Sequence, residues 1–142
     1  MTAVAASTRW APPAVLWGVA VGILQTASPL AFRWLDPSTV YAFGLVFIAA
    51  IYVGFAVADG RSKVIATETV VASVFVVLAA VTVSGSVWWV VVGLFGHGLK
   101  DLWQHRTHFV STTRWWPPFC LVVDWVAAPL IAVAIVADIG VQ

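Results

Sequence analysis

Charged residues are scarce in this 142-residue sequence, which has seven Lys or Arg and six Asp or Glu, together 9% of the chain. Soluble domains carry about 25% charged residues, so the composition excludes an ordinary soluble domain and indicates an integral membrane protein. The single cysteine excludes a disulfide within the chain. The formal net charge of +1 provides no basic surface for nucleic acid, which we therefore exclude as a partner.

Hydrophobic residues make up 62% of the chain, and nine of its residues are tryptophans, which concentrate at membrane interfaces. A helix needs about 20 mostly apolar residues to cross the hydrocarbon core of a bilayer. The sequence therefore predicts an all-α helix bundle in contact with membrane lipids. It forms a single transmembrane domain over residues 1–142, with five spans at approximately 11–32, 39–58, 64–83, 86–104 and 117–137.

Turn-forming residues separate the five segments. Ser38 is expected to cap the second helix at its amino end, and Gly60 is expected to close that helix in a left-handed conformation. Pro117 suits the first turn of the fifth helix, where its missing N–H has no partner to lose. Gly18 and Gly22 form a GxxxG pattern, which favours close packing of the first helix against another.

The placement of Lys and Arg predicts the orientation. With five spans, Arg33 lies on one face of the membrane, and the other face carries Arg9, Arg61, Lys63, Lys100, Arg106 and Arg114. By the positive-inside rule the N-terminus is cytoplasmic, as in a multi-pass protein of the bacterial inner membrane. The alternative for the first segment is a signal peptide cleaved near 27–31, but its apolar run exceeds the usual core of about 7–15 residues.

One segment, 96–108, holds all three histidines together with a lysine and an aspartate. Ionisable groups are costly near hydrocarbon, so their presence at the end of an apolar segment indicates a function. At about 100° per residue, His97, Asp101 and His105 point into one sector of a helix. His108 would return to the same sector if the helix continued that far.

Two other segments bring acids to the same depth. Glu68 lies about one turn into the third segment and Asp124 about two turns into the fifth. We expect both to converge with His97 and Asp101 in a pocket that opens to the cytoplasm. The side chains expected to line that pocket are Trp103, Trp116, Phe119, Cys120 and Trp125.

These residues suggest a membrane-embedded enzyme that uses acid–base chemistry on a lipophilic substrate, such as a lipid, an isoprenoid or a sterol-like molecule. Asp101 and Asp124 would be the acid–base pair, and His97 would orient one of them, with Glu68 and His105 assisting. The alternative is a structural or accessory subunit, in which the cluster locks helices together. Such a subunit would pack against a second copy or a partner membrane protein.

A transition-metal site is the third interpretation. Along a helix with a rise of about 1.5 Å per residue, His97 and His105 lie roughly 12 Å apart and cannot share one ion. Only the pairs His97–Asp101 and Asp101–His105 are close enough to chelate, and Asp124 or Glu68 would have to complete the set. Zinc or non-haem iron would suit such ligands. The sequence alone therefore assigns no metal ligand and leaves the cofactor open.

Three stretches of the chain share a pattern with known sequences, and they are 51–61, 97–108 and 115–125. The pattern resembles a group of small bacterial integral membrane proteins that combine an H-x-x-x-D-x-x-x-H segment with a W-[WY]-x-x-F-C-x-x-x-D segment. The resemblance implies no activity. It implies that five residues belong to one motif, namely His97, Asp101, His105, Cys120 and Asp124.

Overall fold

Five α-helices and no strand make up residues 11–140, the part of the chain that the computed structural model describes. The helices are α1 (Pro12–Ala27), α2 (Pro37–Asp59), α3 (Ser62–Ser84), α4 (Trp88–Thr107) and α5 (Trp116–Val136), and a short 3₁₀ turn (Ser28–Leu30) follows α1. The all-α bundle is confirmed, and each predicted span coincides with one helix to within a few residues. Arg9, which entered the prediction of orientation, lies outside the described residues.

Four of the helices are long and apolar enough to cross a membrane, namely α1 with its 3₁₀ extension, α2, α3 and α5. The chain is therefore a membrane protein by length and composition. The remaining helix, α4, has 20 residues and reaches about 30 Å, which matches the hydrocarbon thickness. α4 is not among the four apolar helices because it contains several ionisable residues, so its place as a fifth span stays a prediction, as does the orientation.

The helix ends follow their local sequence with one exception. Gly60 adopts a left-handed conformation with φ of 78° at the end of α2, as predicted. α5 begins at Trp116 with prolines in its first turn, also as predicted. The N-cap prediction was wrong, because α2 begins at Pro37 and Asp36 occupies the capping position. Ser38 therefore lies within the first turn, since Pro37 is itself preset for a first helical residue.

Glycines let α1 approach α5 closely. A Cβ atom on Gly18 would lie 2.7 Å from the Cβ of Val122, and one on Gly22 would lie 2.8 Å from the Cβ of Val126. Both distances are far below van der Waals contact, so any larger residue would push the helices apart. The GxxxG pattern thus packs α1 against α5, which confirms the predicted close helix contact.

The bundle interior divides into two halves along the helix axes. Near the α3–α4 turn it is apolar, and its buried core consists of Tyr41, Leu45, Ala49, Phe75, Val90, Leu94, Ala127, Ala128 and Ile131. Near the α4–α5 loop it is polar, and its buried side chains include Glu68, His97, Asp101, Gln104, His105 and Asp124. α4 contributes to both halves.

Candidate functional site

Two consecutive helices each present a pair of potential ligands to the other. His97 and Asp101 lie one turn apart on α4, and Cys120 and Asp124 lie one turn apart on α5. Residues four apart share a helix face, so the two pairs meet where α4 packs against α5. One potential ligand atom from each of the four side chains lies within 4.8 Å of the other three. All four residues are at most 1% exposed.

The imidazole of His97 faces two carboxylates at once. Its Nδ1 lies 2.8 Å from Oδ2 of Asp124 and 3.3 Å from Oδ2 of Asp101. A ring nitrogen carries at most one hydrogen, which makes a good hydrogen bond with Asp124 alone. Among the described residues no well-oriented donor reaches either oxygen of Asp101 or the second oxygen of Asp124, although the Tyr52 hydroxyl and the Cys120 thiol lie beside Asp101. The group is therefore rich in acceptors and short of positive charge.

Aromatic rings hold the His97 imidazole in place. The ring of Tyr52 approaches it edge-on at 5.5 Å between centroids, and the ring of Phe75 does so at 5.0 Å. Tyr52 comes from α2 and Phe75 from α3, so the imidazole is enclosed from both helices. Packing of this kind restricts the ring to one orientation, with Nδ1 directed at the two carboxylates.

A second polar group lies beside the first. Lys100 and Gln104 form the neighbouring stripe of α4, and both reach Glu68 on α3. The Nζ of Lys100 lies 3.0 Å from Oε2 of Glu68, and the side-chain amide of Gln104 donates to Oε1 of the same carboxylate. The ammonium also lies 3.3 Å from the centroid of the Tyr52 ring, a cation–π contact.

The expected convergence of four acids and imidazoles therefore holds for three residues. His97, Asp101 and Asp124 meet, whereas Glu68 is drawn one stripe away by its ion pair with Lys100. Cys120, expected to line a pocket, belongs to the convergent group in its place. The catalytic roles of these residues stay predictions.

The other two histidines take no part in the four-residue group. His105 is buried one turn beyond Asp101, towards the end of α4. The helix ends at Thr107, and His108 follows in a left-handed conformation with φ of 51°. His108 is exposed and lies past the helix end, so the condition under which it would share the sector of His97 is not met. The chain needs the left-handed residue to leave the helix and begin the α4–α5 loop.

The aromatic side chains expected around the acids do not form one pocket with them. Trp125 lines an apolar groove on the outside of the bundle and stacks on Phe95 at 5.5 Å between centroids. Phe119 lines a second apolar groove, with Trp17 among its other walls. Such outward positions agree with the preference of aromatic side chains for the membrane interface.

The two remaining predicted lining residues lie near the α4–α5 loop. Trp103 packs against Phe109 at 5.0 Å between centroids, and Trp116 packs edge-on against Phe55 at 5.6 Å. Within the described residues, the acids are enclosed by helix packing rather than by an open, aromatic-lined pocket. The expected opening towards one side of the membrane is thus closed in this structure.

Sequence reasoning named Cys120 as a lining residue and as part of one motif with Asp124, but it missed two contributors to the site, Tyr52 and Phe75. Cys120 has a detectable signal, because its spacing from Asp124 repeats the spacing of His97 and Asp101. Tyr52 and Phe75 have none, since they come from apolar stretches of other helices. No protein-family model, no curated protein and no solved structure matches this chain.

Proposed function

We propose that this chain is a metal-binding protein of the bacterial inner membrane that holds one divalent transition-metal ion between α4 and α5. The ligands are His97, Asp101, Cys120 and Asp124. The observation that carries the proposal is the approach of four potential ligand atoms to within 4.8 Å of one another in a buried site.

The distances suit a tetrahedral ion after a small adjustment. Zinc binds imidazole nitrogen at about 2.0–2.1 Å and thiolate sulfur at about 2.3 Å, which places ligand atoms roughly 3.3–3.7 Å apart. Side-chain movements of about 1 Å close the difference from the observed 4.8 Å limit. Nitrogen and sulfur donors favour zinc or a similar transition metal over magnesium and calcium, which take oxygen ligands.

The balance of charge supports a divalent ion. With the imidazoles neutral and the thiol protonated, Asp101, Asp124 and Glu68 each carry one negative charge, and Lys100 carries one positive charge. Among these described groups, two negative charges remain uncompensated, and their side chains are buried. Buried charges are costly unless they are paired or coordinate a metal. When Cys120 binds as a thiolate, which adds a third negative charge, a divalent cation at the four ligands leaves one negative charge in place of three.

Metal analysis of the protein purified in detergent tests the proposal. We expect about one zinc ion per chain after loading. We also expect Asp101→Asn and Asp124→Asn to weaken binding by more than about 100-fold, since each removes a ligand and a charge. Asp36→Asn, an exposed aspartate outside the bundle, is the matched control and should bind like the wild type.

Cobalt substitution identifies the sulfur ligand. We expect a thiolate-to-cobalt absorption band in the near ultraviolet that Cys120→Ser abolishes. The proposal is wrong if loaded wild-type protein retains no transition metal, or if its Kd for zinc is weaker than about 100 µM.

An acid–base enzyme is the second candidate, and the contacts of His97 favour it. An imidazole held between Asp124 and Asp101, at 2.8 and 3.3 Å, can pass a proton between two carboxylates without any metal. Such an enzyme would act on a lipophilic substrate from the cytoplasmic leaflet. Growth in a complementation assay would measure the function. If the protein supports growth without any bound metal and Asp101→Asn does not, the enzyme is favoured over the metal site. Full function of both Asn variants would instead favour a structural or accessory subunit.

A further inference from the structure

The polar half of the bundle is covered at the membrane face by a small apolar cluster. Its buried members are Ala56, Val64 and Val110, with Phe55, Ile65 and Phe109 packed against them. Ala56 lies one turn closer to the end of α2 than Tyr52, and Val64 lies one turn closer to the start of α3 than Glu68. The cluster therefore lies about 6 Å nearer the membrane face than the polar groups.

The α4–α5 loop, residues 108–115, supplies the outer part of this cluster. Phe109 and Val110 belong to the loop, and Val110 is only 3% exposed. The loop turns back over the ends of α2 and α3 after His108 leaves the helix in its left-handed conformation. Without Val110, the ends of α2 and α3 would leave the polar stripe of α4 open to the membrane face.

A group of hydrogen bonds, which we call the latch, fastens the loop to the α2–α3 turn. Asp59 accepts hydrogen bonds from the backbone N–H of Ser111 at 2.8 Å and from its hydroxyl at 2.6 Å. Arg61 binds both oxygens of Asp59, at 2.6 and 2.8 Å, and donates to the carbonyl of Phe109 at 2.7 Å. Hydrogen bonding to Asp59 raises the pKa of the Arg61 guanidinium, so the latch stays charged in the neutral range.

The two ends of the bundle differ in how easily they can open. Towards the α3–α4 turn, nine buried side chains from several helices separate the site from the membrane face. Towards the α4–α5 loop, the separation depends on one loop, which is held by surface hydrogen bonds to the covered Asp59 carboxylate and from the exposed Arg61 side chain. Loops with exposed hydrogen bonds and few buried contacts open at a lower free energy than packed helices.

We infer that residues 108–115 form a lid over the short route between the proposed metal ligands and the membrane face, and that Asp59 and Arg61 hold it shut. The inference rests on the proposed metal site for the identity of the ion. Opening of the latch withdraws Val110 and exposes the polar stripe of α4, along which the ion reaches His97 and Asp101. The latch sets how fast the ion exchanges, and the four ligands set how tightly it binds.

Chemical labelling of Cys120 tests the lid without any metal. Cys120 is the single cysteine of the chain and is buried, so a small thiol reagent reaches it only after an opening. In metal-free protein we expect Asp59→Asn and Ser111→Ala to speed labelling by about threefold to tenfold, as charge-assisted hydrogen bonds are lost. Arg33→Gln, which removes an exposed arginine at the opposite face, is the matched control and should label like the wild type.

Two further outcomes decide against the lid. Equal labelling rates in the latch variants and in Arg33→Gln would overturn it. Leu45→Ala destabilises the apolar half and leaves the latch intact, so it should label within about twofold of the wild type. If Leu45→Ala speeds labelling as much as Asp59→Asn, the reagent enters by general unfolding and the lid is wrong.

Zinc exchange tests the connection with the metal. In the latch variants we expect zinc uptake and zinc release to a chelator to accelerate together, with the affinity unchanged. Asp124→Asn should change the affinity instead. A wild-type protein that binds no zinc would contradict the proposed function and leave the labelling result intact. Unchanged exchange rates in variants that still bind one zinc would contradict the lid alone.

Discussion

The two halves of the bundle differ in what they bury, although the same helices build both. α4 contributes Val90 and Leu94 to the apolar half and, one turn further on, His97 and Asp101 to the polar half. In a membrane, tight packing holds helices together, and apolar side chains do this without the cost of burying charge. The polar half is thus not needed to form a bundle, and intramembrane ionisable groups of this kind indicate a site.

Removal of the metal should produce the largest loss of thermal stability, and this loss should arise in the polar half alone. A metal that binds only the folded protein stabilises it by about 4 kcal/mol when its free concentration is about 1,000 times its Kd. We therefore expect chelation to lower the unfolding temperature of the wild type clearly. Asp124→Asn should respond much less to chelator, because it binds the ion more than about 100-fold more weakly. Thermal unfolding in detergent, with and without chelator, measures both, and an equal response of the two proteins would contradict the metal site.

A truncation in the apolar half should produce the reverse pattern. Leu45 is fully buried and packs against Gly93. Leu45→Ala should lower the free energy of unfolding by about 2–4 kcal/mol through the cavity it leaves. Zinc stoichiometry should stay at one per chain, because no ligand moves. Loss of zinc in this variant would show that the two halves are not independent.

Smaller losses of stability and of zinc affinity are expected from a change at the contact between α4 and α5. A Cβ atom on Gly98 would collide with the indole of Trp125, so Gly98→Ala should push α5 away from α4. We expect a loss of about 1–3 kcal/mol in stability and about tenfold weaker zinc binding, as the two ligand pairs separate. Gly96→Ala is the matched control, because a Cβ atom there meets nothing within 4 Å. Titration with zinc should distinguish the two variants, and equal affinities would contradict the role of close packing.

The sequence was sufficient to predict the helices and some of their contacts. Span length and apolar content located all five helices, and Gly60 marked the end of α2 through its conformational freedom. The spacing of Gly18 and Gly22 predicted a close contact, although it did not identify α5 as the partner. These features depend on residues within one or two helical turns of each other, and such residues can be identified from the sequence alone.

The composition of the site was only partly predictable. Helical periodicity placed His97 with Asp101 and Cys120 with Asp124, because residues four apart share a face. It could not decide whether Glu68 or Cys120 joins the group, since that depends on how the helices are rotated against each other. The ion pair with Lys100 withdraws Glu68, and the sequence does not indicate that Lys100 pairs with this glutamate.

The sequence by itself therefore determined a helical membrane protein with an unusual set of ionisable residues towards one end of its helices. The tertiary structure decided which of those residues meet, that they are enclosed, and that the α4–α5 loop covers them. The physical reason is the range of the interactions. Hydrophobicity and helix periodicity are local properties of the chain. Ligand geometry depends instead on the relative position of α4 and α5. That position is set by the packing of glycines such as Gly98 against side chains of the next helix.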